Sequence, residues 1–315
     1  MIAGVHIGHA TDLAAGTGCT VILPPAGSVA SAEVRGLAPG TRELALLEPH
    51  ATVDRIDAIL LTGGSAFGLA AAEGVMALLA EQGRGFPTPA GPVPIVAGAV
   101  IFDRLLGPAA APDAAAGRRA AQGASVGVPE RGTVGAGTGA TVGALDGLAG
   151  ACKGGVGWAC IEVPGGARVA ALVVANAFGD VIGHDGAIVA GLRRGGGFAD
   201  TESVLLREGL HREPRGEATT LVCVLTDATL DKVGCLLLAR AAHGGIARAT
   251  RPAATVFDGD TAFAVSTRAL PAPPRPLLET AAAAATAAAI VDAVRRATGL
   301  HGVEPAPGLH PVDRP

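Results

Sequence analysis

The sequence predicts an α/β fold of the αββα type, in which two packed β-sheets are covered by helices on both outer sides. Strand-like segments occur in clusters flanked by helical segments, an order typical of layered α/β domains. Of the 315 residues, 49% are hydrophobic and only 3% are aromatic, so we expect one substantial core filled by aliphatic side chains. These observations predict a single αββα domain over residues 1–315.

The first half of the chain contains the clearest local pattern. Residues 19–36 predict two short strands around a Pro-Pro-Ala-Gly turn. Residues 56–85 predict a buried strand, a glycine turn at 62–65 and a helix with apolar residues at helical spacing that ends at Gly83 or Gly85. A Pro/Ala-rich surface loop with one short helix is expected over residues 104–132.

The second half is predicted to continue with strands, a linker and two helices. The segments GTGATVGAL, GVGWACIEV and RVAALVVANAFGDVIG indicate successive strands. Residues 186–217 become polar and include Pro214 and Gly216, so we expect an exposed, cleavable linker without regular structure. There follow a strand at 219–226, a helix at 229–242, two short strands within 257–265, a helix at about 276–297 and a frayed tail from 301.

Composition argues against several classes of partner. A formal net charge of -4, few aromatic residues and no tyrosine give no basic stripe or stacking platform for nucleic acid and no polybasic patch for lipid. The alanine-rich segment 280–294 indicates a soluble helix and no membrane contact. Five cysteines without CxxC spacing predict buried thiols in a reducing compartment. With no secretory signal at the N-terminus, a cytoplasmic location and a small substrate are expected.

A threonine pair, Thr219 and Thr220, stands at the start of a predicted buried strand. Most such pairs are β-branched residues that favour strands. The alternative is an N-terminal nucleophile: the chain cuts its own Ala218–Thr219 bond, the Thr219 hydroxyl attacks the substrate, and the freed α-amine of the same residue is the base. An α-amine has a pKa of about 7.7 to 8.0, close to working pH.

Eight ordered motifs across residues 17–265 resemble the self-processing amidohydrolases that include DmpA aminopeptidase, β-peptidyl aminopeptidases and the nylon-oligomer hydrolase NylC. The motifs are GTGCTVILPP, ILLTGGSAFGLAAAEGVMALL, GTVGAGTGATVG, CKGGVGWA, VVANAFGDV, ATTLVCVLTDATLDK, AAHGGIARA and TVFDGDTAFAV. The resemblance implies an αββα sandwich, cleavage into an α fragment (1–218) and a β fragment (219–315), Thr219 as nucleophile and assembly as a tetramer. It implies no cofactor.

The same resemblance assigns four further catalytic candidates. Asp258 and Asp260 would orient the α-amine and the threonine rotamer. The alternative without a catalytic role is that the Asp-Gly-Asp motif forms a hairpin turn with solvated carboxylates. Lys153 would restrain the carboxylates or polarise the scissile carbonyl, or else be a surface lysine. Asn176 would donate to an oxyanion or bind the substrate amide, or else satisfy backbone groups in the core.

The glycine turn and Phe102 complete the predicted site. Backbone amides at Gly63, Gly64 and Ser65 would bind an oxyanion, whereas the structural alternative is a tight strand-to-helix turn with Ser65 as N-cap. Phe102 aligns with a substrate-contacting tyrosine of some relatives. Ala218 replaces the asparagine or glycine that often precedes the nucleophile, so slower processing is expected.

Several other functions remain open at the sequence level. The segment VGAGTGA at 134–140 fits a dinucleotide fingerprint, but a predicted strand follows it where that motif requires a helix. His6 and His9 have no partner cluster with ligand spacing, so no metal is predicted. The favoured substrates are 6-aminohexanoate (nylon) oligomers or related unusual peptides. Alternatives are an aminopeptidase or β-peptidyl aminopeptidase, an ornithine acetyltransferase-like acyl transferase, and a binding protein that keeps the fold without cleaving itself.

Overall fold

A computed structural model describes residues 1–210 and 218–307 of the chain. Residues 211–217 of the predicted linker, and residues 308–315 of the predicted tail, lie outside the described residues. Ten strands form the body of the protein: β1 (His6–Asp12), β2 (Thr17–Leu23), β3 (Val29–Val34), β4 (Thr41–Arg42), β5 (Ala58–Thr62), β6 (Val96–Val100), β7 (Gly155–Glu162), β8 (Arg168–Asn176), β9 (Thr219–Ala228) and β10 (Thr261–Leu270).

The ten strands are divided between two sheets. The first has the order β1-β2-β5-β6-β4 and the second has the order β7-β8-β9-β10-β3. The strands predicted within residues 19–36 are confirmed as β2 and β3, but they belong to different sheets, so the Pro-Pro-Ala-Gly turn carries the chain from one layer to the other. In the second sheet, β9 is central: it runs antiparallel to β8 and parallel to β10.

In the part of the chain that the structure describes, six α-helices accompany the sheets: α1 (Leu44–Leu47), α2 (Ala71–Glu81), α3 (Ala114–Gln122), α4 (Thr201–Glu208), α5 (Lys232–Ala249) and α6 (Arg275–Arg295). A 3₁₀ segment, Ser65–Ala70, leads into α2. Asp113, Asp200 and Asp231 cap α3, α4 and α5, because each carboxylate accepts an N–H bond from the first helical turn.

Side chains of β9 alternate between two apolar clusters, which shows the layered architecture. Leu221, Cys223 and Leu225 face the first sheet, whereas Val222 and Val224 pack against α5 and α6. Since successive side chains of a strand point to opposite faces, a strand between another sheet and a helical layer is apolar throughout. Helices α2 and α3 cover the outer face of the first sheet in the same way. The predicted αββα sandwich is confirmed.

Helix α6 lies within this packing. By length and apolar composition alone it would be long enough to cross a membrane, but 56% of its most apolar window is buried inside the protein. The buried face contacts β7, β8 and α5. Its apolar composition is explained by these contacts.

Four local predictions are wrong or incomplete. GTGATVGAL is not a continuous strand: Gly135 just before it and Gly143 within it have positive φ angles, and only Thr141–Val142 forms a strand. FDGDTAFAV forms one strand, β10, preceded by a turn at 258–260. The region 186–210 contains α4 and short strands rather than unstructured linker. The helix predicted at 229–242 continues to Ala249.

The cysteines follow the prediction except at one position. All five are free thiols, and four are buried, but Cys160 is exposed. Burial raises the pKa of the Cys19 and Cys235 thiols to about 12. The buried cysteines are therefore protonated packing groups.

Candidate active site

Thr219 lies at the beginning of β9, in the middle of the second sheet. Its register partner on β8 is Asn176, the last residue of that strand. On the other side, β10 begins at Thr261 opposite Leu221, so the turn at 258–260 reaches the level of Thr219. Thr219 is 4% exposed and Asn176 is 2% exposed. The two strand ends and the turn thus converge on one buried hydroxyl.

The Asp-Gly-Asp turn holds the residue before the nucleophile in extended form. Ala218 and Asp258 form a parallel β-bridge. The Ala218 N–H donates to the Phe257 carbonyl at 3.2 Å, and the Gly259 N–H donates to the Ala218 carbonyl oxygen at 2.9 Å. The hairpin alternative for this motif is wrong, because its backbone pairs with the segment that enters β9.

The Thr219 hydroxyl lies beside the carbonyl group that precedes it. Its Oγ1 donates to the Ala218 carbonyl oxygen at 2.5 Å. That oxygen therefore accepts from both the Thr219 hydroxyl and the Gly259 amide. A backbone N–H aimed at a carbonyl oxygen also stabilises the negative charge that develops there during nucleophilic attack.

Residue 259 must be a glycine because the turn approaches Thr219 too closely for a side chain. A Cβ atom at this position would lie 2.6 Å from the Ala38 carbonyl oxygen and 2.9 Å from Thr219 Oγ1. Real Cβ atoms essentially never show such separations. A side chain at 259 would therefore displace the hydroxyl from the carbonyl.

We expect Gly259→Ala to slow any reaction of the Thr219 hydroxyl by about 5- to 150-fold, the range that corresponds to about 1–3 kcal/mol of overpacking. The measurement is the rate of appearance of a fragment beginning TTLVCV, followed by intact mass. Gly244→Ala is the matched control, because a Cβ at this position in α5 meets nothing within 4 Å. Equal rates for the two variants would contradict the close approach.

Asp258 and Asp260 are both buried, at 2% exposure each. Asp260 accepts the N–H bond of Thr220 at 2.7 Å, and Asp258 accepts from the Thr255 amide and hydroxyl. Burial raises the pKa of both carboxyl groups, and the Asp258 charge raises that of Asp260 further. The pair therefore favours a nearby cation or a shared proton.

Lys153 is fully buried rather than on the surface. Its ammonium donates to the carbonyl oxygens of Thr138 at 3.0 Å and Ala140 at 2.5 Å. Burial lowers the pKa of Lys153 to about 7, and the negative charge of Asp103 opposes this effect. The surface-lysine alternative is wrong, and the carboxylate whose charge acts on Lys153 is Asp103 rather than the pair at 258 and 260.

Two strand pairings and one hydrogen bond connect Lys153 to Thr219. The strand Cys152–Lys153 pairs with Thr141–Val142, and the Thr141 N–H donates to Asn176 Oδ1 at 3.0 Å. Asn176 in turn stands opposite Thr219. The hydrogen bond from Thr141 fixes the orientation of the Asn176 carboxamide. Asn176 therefore both accepts a hydrogen bond from the Thr141 backbone and lies next to the candidate nucleophile.

Asp103 is a buried carboxylate that the sequence analysis passed over. It accepts from the Thr17 hydroxyl and from the Gly64 N–H, both at 2.7 Å, and burial raises its pKa. Cβ atoms at Gly63 and Gly139 would lie 2.1 Å and 2.5 Å from its side-chain atoms. An aspartate directly after the apolar run VIF was the available signal, since a charge there requires partners.

The amides predicted to form an oxyanion site already have acceptors within the protein. The N–H groups of Gly63, Gly64 and Ser65 donate to the Gly18 carbonyl, the Asp103 carboxylate and the Ile101 carbonyl. Ser65 is not an N-cap, since Gly64 precedes the 3₁₀ segment and no side-chain cap bond forms. The turn therefore anchors Asp103, and Gly259 supplies the amide on the Ala218 carbonyl.

The structure also locates Phe102 and His9, two further candidates from the sequence. Phe102 is half-buried, just after β6 and next to Asp103. His9 is half-buried, and its Nδ1 lies 2.9 Å from Thr20 Oγ1; desolvation lowers the pKa of this imidazole to about 4. Within residues 1–210 and 218–307, no group of three or more His, Cys, Asp or Glu side chains has a metal-binding arrangement.

Solved structures share this fold. The L-aminopeptidase D-Ala-esterase/amidase of Ochrobactrum anthropi, described as a variant of the Ntn hydrolase fold, aligns with this chain at a TM-score of 0.70. The alignment covers 96% of this chain and 86% of that one, at 21% identity. The protein therefore shares this fold, and the candidate threonine, the two carboxylates and the lysine are all buried within it.

The sequence relationship is more specific. Residues 2–306 match the family model described as Peptidase family S58, and the chain belongs to that family. An uncharacterized aminopeptidase of Mycobacterium tuberculosis is 40% identical over 98% of this chain and 94% of its own length. A 6-aminohexanoate-oligomer endohydrolase of Kocuria sp. is 31% identical over 87% of this chain and 76% of its own. The protein is an amide-bond hydrolase, as the resemblance implied.

Proposed function

We propose that the protein is a self-cleaving N-terminal threonine hydrolase that acts on amide bonds through an acyl-enzyme. The observation that carries this proposal is the Ala218 carbonyl oxygen, which accepts from both the Thr219 hydroxyl and the Gly259 N–H. The hydroxyl and the amide thus meet on the one carbonyl group whose cleavage would expose Thr219 as a new N-terminus.

Self-cleavage begins with attack of Thr219 Oγ1 on the carbonyl carbon of Ala218. The C–N bond breaks, the hydroxyl proton ends on the Thr219 nitrogen, and an ester joins residues 218 and 219. Water then hydrolyses the ester, which leaves the Ala218 carboxylate, the free hydroxyl and the α-amine of Thr219. During the first step, the Gly259 N–H stabilises the developing oxyanion. The products are fragments 1–218 and 219–315.

Turnover repeats the same chemistry on a substrate amide. The α-amine accepts the Thr219 hydroxyl proton as Oγ1 attacks the substrate carbonyl, and the proton passes to the departing amine. Water, deprotonated by the same α-amine, hydrolyses the acyl-enzyme and releases the acid. Burial raises the pKa of Asp258 and Asp260, and a carboxylate of this pair would stabilise the α-ammonium that forms for a moment when the Thr219 α-amine takes the hydroxyl proton.

N-terminal sequencing of the purified protein tests the proposal. We expect two fragments in intact mass, of about two thirds and one third of the chain, as the cut after residue 218 of 315 requires, and a second N-terminus that reads TTLVCV. A chain that stays intact after prolonged incubation would contradict self-cleavage. Hydrolysis of amides by such an intact chain would contradict the N-terminal base as well.

Two groups of relatives support a proposal about the substrate class. The 40% identical relative is named an aminopeptidase and the 31% identical relative a 6-aminohexanoate-oligomer endohydrolase, so we propose peptides with a free N-terminus ahead of nylon oligomers. Release of amines from amide oligomers, compared with acetyl transfer to ornithine, separates hydrolysis from the acyl-transferase alternative. A tetramer, residence in the cytoplasm and the absence of nucleic-acid and membrane partners stay predictions.

A further inference from the structure

Asp103 and Lys153 both contact a short backbone segment around Gly139. The Lys153 ammonium donates to the carbonyl oxygens of the residues just before and just after this glycine. A Cβ atom at position 139 would lie 2.5 Å from the Cβ atom of Asp103 and 2.7 Å from its Oδ2 atom. The segment therefore packs directly on the buried carboxylate while its carbonyl groups bind the buried cation.

Two hydrogen-bond donors counteract the burial of the Asp103 carboxylate. Its Oδ2 accepts from the Thr17 hydroxyl, and its Oδ1 accepts from the Gly64 N–H. Burial raises the pKa of Asp103, whereas these two donors and the charge of Lys153 lower it. Each carboxylate oxygen thus has a donor, as a buried ionised group requires.

Asp103 is the charged group that acts on Lys153 from a neighbouring element. Burial lowers the pKa of Lys153 to about 7, and the Asp103 charge opposes this effect. The segment 138–142 has no ionisable side chain. Glu304, whose carbonyl oxygen accepts the Lys153 N–H, is exposed, and burial raises the pKa of the Cys152 thiol on the same strand, which keeps it neutral. The charge of Lys153 therefore depends on Asp103.

We infer that Asp103 is a positioning residue of the candidate active site: its negative charge keeps the buried Lys153 side chain in the ammonium form, which holds the segment 138–141 beside Asn176. The inference rests on the proposed function where it concerns catalytic rates. Hydrogen bonds from an ionised donor are about twice as strong as those from a neutral donor. The ammonium therefore binds the two carbonyl groups of the segment more firmly than a neutral amine does.

The effect reaches Thr219 through Asn176. The Thr141 N–H, at the end of the segment, donates to Asn176 Oδ1 at 3.0 Å, and Asn176 is the register partner of Thr219. When Lys153 loses its proton, its bonds to the segment weaken, and the orientation of the Asn176 carboxamide becomes less fixed. We therefore expect hydrolysis to require the protonated form of Lys153.

The charge of Lys153 is directly measurable, because Lys153 and Lys232 are the only two lysines in the sequence. Lysine labelled with carbon-13 at Cε gives two NMR signals in the uncut Thr219→Ala chain, and a Lys232→Arg sample assigns them. We expect Asp103→Asn to move the titration of Lys153 to lower pH by about one unit or more. The titration of Lys232, whose ammonium donates to four other carbonyl groups, is expected to stay the same.

Enzyme kinetics supply the second measurement. Asp103→Asn keeps a side-chain oxygen for the Gly64 N–H and removes the charge. We expect the ratio of variant to wild-type kcat/KM, on an alanyl p-nitroanilide, to be highest below about pH 5 and to fall by about tenfold above the pKa of Lys153. A structural role of Asp103 alone would lower this ratio equally at every pH.

Asp180→Asn is the matched control. Asp180 is also buried, and its carboxylate accepts from the Thr201 hydroxyl and from the backbone N–H groups of Leu192 and Thr201. The charge that acts on it is that of Asp200 rather than a lysine. We expect this variant to change neither the titration of Lys153 nor the pH dependence of the kcat/KM ratio, even if it lowers stability.

A stability comparison covers the case in which Asp103→Asn alone does not fold. Lys153→Met leaves Asp103 as a buried carboxylate without its cation, whereas Lys153→Met combined with Asp103→Asn removes both charges. Because an uncompensated buried charge is strongly destabilising, we expect the double variant to unfold at a higher denaturant concentration than Lys153→Met at pH 8. The opposite order would contradict the coupling of the two charges.

The outcomes separate the inference from the proposed function. A processed, active protein in which Asp103→Asn leaves the Lys153 titration unchanged, or lowers kcat/KM equally at every pH, overturns the inference alone. A protein that is never processed and hydrolyses nothing overturns the proposed function. The lysine titration of the uncut chain then still decides whether Asp103 keeps Lys153 charged.

Discussion

Replacement of Thr219 by alanine is expected to leave one uncut chain of 315 residues with no measurable amide hydrolysis. The variant removes the hydroxyl that donates to the Ala218 carbonyl oxygen. Because this group would be the nucleophile in both self-cleavage and turnover, we expect a loss of about 10⁴-fold or more in each rate. Intact mass follows the first rate, and release of p-nitroaniline from an alanyl substrate follows the second.

Thr219→Ser separates loss of the nucleophile from loss of structure. It keeps the hydroxyl but removes the β-branch, so we expect it to retain processing at a reduced rate. Thermal unfolding of the Thr219→Ala chain checks that the sandwich still forms. Normal maturation of a folded Thr219→Ala protein would show that another group cuts the chain, and the account of this site would be wrong.

Asp260→Asn is expected to have the second largest effect, a fall in turnover of about 10²-fold or more. Asparagine keeps an oxygen that can accept the Thr220 N–H bond but carries no charge to stabilise the α-ammonium that forms when the Thr219 α-amine takes the hydroxyl proton. Asp227→Asn is the matched control, because Asp227 is also buried on β9 and accepts a backbone N–H, from Arg168, at the far end of the strand. Equal losses in both variants would indicate a structural effect only.

The same carboxyl groups predict how stability depends on pH in the uncut Thr219→Ala chain. Burial raises the pKa of Asp258 and Asp260 above the ordinary value of about 4. Between the ordinary and the raised values the folded chain binds more protons than the unfolded chain. The protonation of these two carboxyl groups therefore contributes fully to the free energy of unfolding below their ordinary pKa. This contribution is lost as pH rises through the pKa values of the folded chain, by up to about 1.4 kcal/mol per pH unit for each proton.

Denaturant unfolding of the uncut chain at a series of pH values between 4 and 8 checks this sign. We expect the free energy of unfolding to fall with rising pH, and the added Asp260→Asn substitution to reduce the slope. The raised pKa would be contradicted if the free energy of unfolding fell more steeply with pH in the Asp260→Asn protein. It would also be contradicted if the free energy of unfolding rose with pH and this rise disappeared in the Asp260→Asn protein.

The sequence by itself predicted the elements that depend on local pattern. The strand β5, the glycine turn and α2 follow from an apolar run and helical spacing, and β9 follows from a continuous buried stretch. Glycine-rich segments were predicted poorly. In residues 137–145 the glycines serve close backbone approaches and positive φ angles rather than a strand, and such contacts come from residues distant in sequence.

The sequence also supplied most members of the candidate site, but not their partners. Lys153 was identified by resemblance, yet its contacts with the Thr138 and Ala140 carbonyls and its pairing with the Asp103 charge are tertiary. The turn at 63–65 was expected to bind an oxyanion, and its amides were found bonded to other groups. Hydrogen-bond partners depend on three-dimensional proximity, which residue identity alone does not contain.

What the sequence determined by itself is the α/β class, the family, and a threonine placed at the start of a buried strand. What only the tertiary structure decided is that the end of β8 and the 258–260 turn meet beside residues 218 and 219, with the Gly259 amide on the Ala218 carbonyl oxygen. The physical reason is that periodicity fixes the face of each element, whereas the meeting of strand ends depends on long-range pairing and packing.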